Sequence, residues 1–214
     1  MDAKLYKRLE KSLGVIDDHG TVGPRLLDDA QRLWDRVRRF IGMGLVPSQT
    51  LDLQALELAC HALQLPLRRP RLHASGRPTR STLRERTEEA AELLIGVAIG
   101  EASEELLDRT ARILHEMPHR NPMFEEAKLL ADALNLEDFG LTGLINLALQ
   151  TDRQGGGVGQ VADGLEKREQ YGYWHVRLKD GFHFDPIRAL AQKRLDHARE
   201  AAKRLAGEIA EDKL

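Results

Sequence analysis

Apolar side chains recur at intervals of three and four residues along most of this chain, which is the spacing of one face of an α-helix. The clearest case follows Pro24, because proline suits a helix start, and it ends before Gly42 and Gly44. Its apolar positions are Leu26, Leu27, Ala30, Leu33, Trp34, Val37, Phe40 and Ile41. Alternating β patterns are nearly absent, so the sequence predicts an all-α fold.

The same spacing predicts helices elsewhere, and neither an internal repeat nor a domain boundary is apparent. We therefore expect a single domain over residues 1–214, built as a bundle of about eight helices. It comprises an N-terminal helix within 1–20, a helical core over 25–210 and an Arg- and Pro-rich loop over 66–82. The helical pattern covers about residues 3–13 in the N-terminal helix and eight stretches of the core, about 26–41, 51–65, 83–99, 103–117, 122–136, 141–150, 158–178 and 186–210.

The composition narrows the kinds of partner that the chain can bind. It has 32 Lys and Arg against 34 Asp and Glu, so its net charge of −2 provides no overall attraction to nucleic acid or an anionic membrane. No run approaches the roughly 18 apolar residues of a membrane span, and the start lacks the apolar core of a signal peptide. The single cysteine, Cys60, fits a reducing compartment. We expect a cytoplasmic protein without membrane association, which is free to form a homo-oligomer.

Two mostly apolar helices each carry one narrow polar stripe. In the first helix, His61 lies on a stripe with Glu57 and Gln64, and in the second, Asp132 lies on a stripe with Lys128. If the stripes face each other, a histidine and carboxylates could hold a divalent cation inside a helical bundle. If they face solvent, no site follows, and periodicity alone leaves both alternatives open.

Other patterns carry weaker signals. Arginines of the loop, among them Arg69, Arg71 and Arg77, could hold a phosphate group, but the loop has no interleaved aromatic residues for stacking on bases. The run GGGVG at 155–159 lacks the strand and the Gly-Lys-Ser/Thr that a nucleotide-binding loop requires. His115 lies at a helix end, where the helix dipole favours a histidine with or without chemistry.

Three stretches, in this order, resemble the HD-domain superfamily of metal-dependent phosphohydrolases. LDLQALELACHALQLP resembles the helix that ends in the family's His-Asp doublet. EEAKLLADALNLEDFGLTGLI resembles the helix with the final metal-binding aspartate. HVRLKDGFHFDPIRALAQKRLDHAREAAKRLAGEI is similar to the C-terminal helices of small bacterial members. The resemblance spans about residues 25–210 and implies an all-α bundle of the HD-domain type.

The resemblance also implies a metal site. His61 matches the histidine of the doublet, and Asp132 matches the final aspartate. Asp28 and Asp29 stand nearest to the place of an earlier family histidine, and of the two only Asp29, at the edge of its helix's apolar face, could point inward. The doublet's aspartate is replaced by Ala62, which cannot bind a metal. Asp29, His61 and Asp132 are therefore the predicted ligands of an incomplete site for Mn, Fe, Mg, Zn or Ni, with His73 and His115 as additional candidates.

Two functions are consistent with this reading. The first is a weakly active or non-catalytic HD-fold protein that binds a ligand or a partner, and the replacement of the doublet's aspartate by Ala62 favours it. The alternative is an active divalent-metal phosphohydrolase, a phosphomonoesterase or phosphodiesterase, acting on a small phosphorylated metabolite or nucleotide. In that case Arg69, Arg71 and Arg77 would hold the substrate phosphate.

Overall fold

The structure, a computed structural model, describes residues 1–16, 22–46, 50–68 and 81–211. Ten α-helices and one pair of two-residue strands account for the regular structure of these ranges, which confirms the all-α class and slightly exceeds the predicted eight helices. The contacts within the chain divide it into two compact units, Met1–Ala131 and Asp132–Leu214. The expectation of a single domain stays a prediction.

The first unit is built from six helices, the last of which continues across the division at residue 131. They are α1 (Ala3–Leu13), α2 (Arg25–Gly42), α3 (Leu53–Ala62), α4 (Leu83–Ala98), α5 (Glu104–Glu116) and α6 (Glu125–Asn135). The strands β1 (Val15–Ile16) and β2 (Val22–Gly23) pair antiparallel between α1 and α2, with Val15 opposite Gly23. A short 3-10 turn, Leu65–Arg68, follows α3.

Helix α3 lies at the centre of this unit. Seven of its ten residues are buried, and it packs against α2, α4 and α5. The helix starts at Asp52, whose carboxylate accepts the N–H groups of Gln54 and Ala55 and so satisfies donors that a helix N-terminus leaves unpaired. Trp34 of α2 belongs to the same buried core. An apolar helix of this kind is central because almost every face has a neighbour.

A buried ion pair holds the start of α3 to α5 and α6. Glu126 of α6 is 2% exposed and accepts the backbone N–H of Asp52 at 2.9 Å and the guanidinium of Arg109 at 2.8 Å. The Arg109 guanidinium also stacks over the Phe124 ring, 4.2 Å from its centroid. Because both donors approach the same carboxylate oxygen, the charge of Glu126 is compensated inside the unit.

The second unit contains the C-terminal helices. They are α7 (Gly140–Arg153), α8 (Val158–Gln170), α9 (Tyr173–Asp180) and α10 (Asp185–Glu211), preceded by a 3-10 turn, Leu136–Asp138. Helix α10 packs against α7, α8 and α9. An aromatic cluster of Phe139, Trp174 and Phe182 fills the space between these elements, with ring centroids 5.2 and 5.4 Å apart.

The prediction of one helix over 158–178 was wrong. The chain breaks between α8 and α9 at Gly172, whose φ of 63° lies in the left-handed region that a continuous α-helix cannot contain. The glycine therefore acts as a helix terminator rather than as a tolerated interior residue. The break directs Trp174 into the aromatic cluster.

Close packing also explains Gly143 near the start of α7. A Cβ atom at this position would lie 2.1 Å from the carbonyl oxygen of Asp138, which is far inside van der Waals contact. Only glycine allows the 3-10 turn and α7 to approach this closely.

In the ranges that the structure describes, no helix is both long and apolar enough to cross a membrane.

Candidate functional site

His61 is the most unusual side chain of the first unit, because it is fully buried in α3. Its Nδ1 lies 2.8 Å from the carbonyl oxygen of Glu57, one turn earlier, so Nδ1 carries the proton and donates it. The edge of the Tyr6 ring from α1 lies against the imidazole, with centroids 6.1 Å apart. The solvent-facing alternative for His61 is therefore excluded.

The other ring nitrogen of His61 is left with a lone pair. Within the described residues, Nε2 is buried and has no hydrogen-bond partner. Burial lowers the pKa of His61 below its ordinary value of 6.5, and the hydrogen bond to Glu57 only partly offsets this effect. The imidazole is therefore neutral at pH 7, with Nε2 available to accept a hydrogen bond or to ligate a metal.

The next residue, Ala62, is as buried as His61 and contributes only a methyl group. Leu58, Ala59 and Leu63, its neighbours in sequence, are also fully buried. The position after His61, at which the sequence resemblance implies a family carboxylate, thus lies in an apolar part of this unit. Because alanine has no ligating atom, this position cannot supply a metal ligand.

Asp29 could point inward from its place on α2, but the structure does not direct its side chain into the core. Its side chain on α2 is 30% exposed, and Oδ1 accepts a hydrogen bond from the Arg32 guanidinium at 2.9 Å, one turn along the same helix. The physical reason is that the residue stands at the edge of the apolar face, where a carboxylate can reach both water and a neighbouring arginine. Asp29 therefore forms a surface ion pair.

Asp132 is fully buried in the second unit, which excludes the solvent-facing alternative here too. Its carboxylate accepts the backbone N–H of His183 at 2.8 Å and that of Phe184 at 2.9 Å. Burial raises the pKa of Asp132 from 3.8 to about 7, although both N–H bonds oppose the rise. The carboxylate positions the turn that precedes α10.

Of the remaining candidates, only His115 lies within the described residues. His115 is exposed in the last turn of α5. Arg69, Arg71, Arg77 and His73 lie outside the described residues. Of the predicted Arg- and Pro-rich loop, the structure describes Leu65–Arg68 as a 3-10 turn and Thr82 as the N-cap of α4, where its side chain and that of Glu85 form a capping box.

These donors do not fit a complete metal centre. Across the described ranges, no group of three or more His, Cys, Asp and Glu side chains is placed to hold a metal ion. Asp29 is paired with Arg32, and both oxygens of Asp132 accept backbone N–H groups. Among Asp29, His61 and Asp132, only His61 keeps a ligating atom without a described partner, and a metal site needs several ligands.

A second feature escaped the sequence analysis. Helices α8 and α10 of the second unit leave a cleft of about 500 Å³ between them, and Trp174 contributes to its lining. The relevant signal in the sequence is a row of alanines at intervals of four on α10. Those alanines are Ala198, Ala202 and Ala206.

Comparison with known proteins identifies the fold. The sequence matches no protein-family model and no curated protein. The structure is similar to that of Bacillus subtilis YpgQ in complex with ADP, with 19% identity, a TM-score of 0.58, and coverage of 96% of this chain and 95% of that chain. Selenomethionine YpgQ gives 19% identity and a TM-score of 0.60, and another YpgQ structure 21% and 0.56, each covering 96% of both chains. This likeness shows a shared fold over nearly the whole length.

Proposed function

We propose that this chain is an HD-domain protein that has lost most of its metal centre and acts as a non-catalytic binding protein. The observation that carries the proposal is the buried Ala62 directly after the buried His61. In the HD-domain family, which the three sequence stretches resemble, this position supplies a carboxylate from the centre of the site. A methyl group there removes both a charge and a coordination position.

The surroundings support this interpretation, because within the described ranges no set of substitute ligands accompanies His61. A replacement carboxylate would have to reach the vicinity of His61, and in the part of the chain that the structure describes no cluster of ligating side chains exists. Asp29 and Asp132, the other two predicted ligands, already have partners that stabilise their carboxylates. Metal sites depend on oriented ligands, so a site built on His61 alone would bind metal weakly.

For the ligand, we propose a small phosphorylated molecule of the nucleotide class. The support is the fold shared with YpgQ, which has been crystallised in complex with ADP. The Arg-rich loop, with Arg69, Arg71 and Arg77, supplies guanidinium groups suited to phosphate oxygens. Binding through such groups requires no metal.

A second candidate function is an active divalent-metal phosphohydrolase. One observation favours it: the Nδ1 of His61 donates to the Glu57 carbonyl, and Nε2 is buried without a described partner. This is how metal-binding histidines are oriented, with one nitrogen fixed by a carbonyl and the other turned to the metal. Mn, Fe, Mg, Zn or Ni are the cations to test against it.

The test combines metal content, binding and activity on one preparation. We expect less than about one equivalent of any transition metal after gentle purification, because a single imidazole holds metal weakly. We expect ADP to bind in the presence of EDTA by calorimetry, and Arg69→Ala with Arg71→Ala to weaken this binding. Near-stoichiometric metal, together with phosphoester hydrolysis that is lost in His61→Ala, would establish the second candidate instead.

A further inference from the structure

The cleft between α8 and α10 is a site that neither candidate function uses. Small side chains from both helices line it, Ala162 on α8 and Ala198, Ala202 and Ala206 on α10. Leu144 of α7 and Trp174 of α9 bound it on further sides. All of these residues belong to the second unit.

The cleft remains open although alanines line both of its helices. Alanines facing each other allow two helices to pack closely, yet here about 500 Å³ remains open between them. Pockets that hold small molecules have volumes of roughly 300–1,000 Å³ and combine apolar walls with a few charged groups. The cleft has both properties, so its shape suits an apolar body in contact with the alanines.

Negatively charged side chains outnumber positively charged ones in the lining of the cleft. Three carboxylates, those of Asp163, Glu166 and Glu169, line it together with the cations of Arg199 and Lys203. The Arg199 guanidinium binds both oxygens of Glu169, at 2.7 and 3.0 Å, and this pairing raises the pKa of Arg199. With that pair neutralised, two carboxylates face one lysine.

The two remaining carboxylates stand close to each other. Asp163 and Glu166 are three residues apart on α8, so they lie on neighbouring turns of the same face. Both are exposed, and Glu166 accepts a hydrogen bond from the Gln170 amide at 3.0 Å, a neutral donor that brings no positive charge to the carboxylate. A cation held beside them would meet two charges at once.

We propose that this cleft binds a small molecule with an apolar body and a protonated amine. The apolar body lies on Ala162 and the alanines of α10, and the amine lies beside Asp163 and Glu166. An anion of the same shape would meet a net negative rim and bind less well. The proposal is independent of His61 and of the phosphorylated ligand proposed above.

Octylamine and octanoate provide a matched pair of probes, since they have the same chain and opposite charge. We expect octylamine to bind several-fold more tightly at pH 7.5, followed by NMR shifts of the amides of Ala162 and Ala202. The double variant Asp163→Asn/Glu166→Gln should weaken octylamine binding about three- to tenfold, which is the range for two exposed charge contacts. The double variant Glu104→Gln/Glu105→Gln, on the exposed start of α5, changes the net charge equally and should leave binding unchanged.

A filling variant tests the position of the apolar body. Ala202→Leu should reduce octylamine binding at least about fivefold by occupying the cleft, whereas Ala210→Leu, exposed on the same helix outside the cleft, should not. If Ala202→Leu fails to fold by circular dichroism, Ala206→Leu at an exposed position of the cleft serves instead. Equal binding of octanoate, or unchanged binding in the filled variant, overturns the proposal.

Discussion

The carboxylate of Asp132 in the middle of α6 accepts the backbone N–H of Phe184 at 2.9 Å, fifty-two residues later in the chain. The same carboxylate accepts the N–H of His183 at 2.8 Å. A buried carboxylate therefore takes the place of a surface cap for the backbone just before α10. Its raised pKa makes the stability of the protein depend on pH.

We expect Asp132 to destabilise the folded protein as the pH rises from 4 to 7. Its pKa is 3.8 ordinarily and about 7 in the folded state, so in this range the folded state retains a proton that the unfolded state has released. The loss amounts to at most about 4 kcal/mol. Asp132→Asn should flatten this slope in urea unfolding at pH 4.5, 6 and 7.5, whereas Asp152→Asn, at an exposed position, should not. The same slope in both variants would contradict the assignment.

His61 should have the opposite effect on pH dependence. Because burial lowers its pKa, the unfolded state takes up a proton below pH 6.5 while the folded state does not. Stability therefore falls as the pH drops from 6.5 until the folded imidazole is itself protonated. His61→Leu should reduce the decrease of Tm between pH 6.5 and 5. An undiminished decrease of Tm in the variant would assign it to other groups.

Ala62→Asp should restore part of a metal site. We expect tighter binding of Mn²⁺ or Zn²⁺ by calorimetry, since the variant adds a carboxylate at the residue after His61, whose Nε2 has no described partner. Without metal the variant should lose several kcal/mol of stability, because a buried charge lacks a partner. Ala59→Asp on the same buried helix is the control, for which we expect the stability loss without the gain in affinity. Unchanged metal affinity in Ala62→Asp counts against the proposed relation to the family site.

The ion pair between Arg109 and Glu126 should contribute far more to the stability of the folded protein than ion pairs on the surface do. Arg109→Met removes one of the two described donors to the carboxylate of Glu126, which is 2% exposed, and leaves the Asp52 N–H. We expect the free energy of unfolding, measured in urea, to fall by about 3 kcal/mol. The matched variant Arg112→Met removes an exposed i,i+4 pair with Asp108 and should cost about 0.5 kcal/mol or less. Similar costs for the two variants would show that the buried pair is solvated.

Gly143→Ala should destabilise the second unit strongly. The added methyl would lie 2.1 Å from the Asp138 carbonyl oxygen, so the turn before α7 must move, at a cost of about 2 kcal/mol or more. Gly207→Ala in α10 is the control, since no atom lies within 4 Å of its added methyl. That substitution should stabilise the helix by about 0.5–1 kcal/mol in thermal unfolding. A neutral Gly143→Ala would mean that the turn relaxes freely.

Local sequence patterns were sufficient to predict where helices form, but not where a helix is interrupted. The bounds of α1, Ala3–Leu13, coincide with the prediction because its apolar spacing ends at a glycine. The break at Gly172 was missed, since a glycine within a periodic pattern is compatible with both a continuous helix and a terminator. The left-handed φ that distinguishes them depends on packing of the following aromatic residues.

The candidate site could be predicted only in part, for a related reason. The polar stripe of α3 identified His61, but its burial depends on Tyr6, fifty-five residues earlier, which no helical period reveals. Likewise, the edge position of Asp29 is compatible with both an inward and an outward orientation, and the ion pair with Arg32 decides between them. The hydrogen bond between Glu126 and Asp52 joins residues seventy-four apart and leaves no local signal.

The two tryptophans of this chain provide optical reporters, one for each compact unit. Trp34 is 7% exposed in the first unit, and Trp174 is 5% exposed in the second, so each indole should change its emission when its own surroundings unfold. Replacing either one by phenylalanine leaves a single fluorophore. Coincident or separate fluorescence transitions in the two variants would then tell whether the chain unfolds as one cooperative unit or as two.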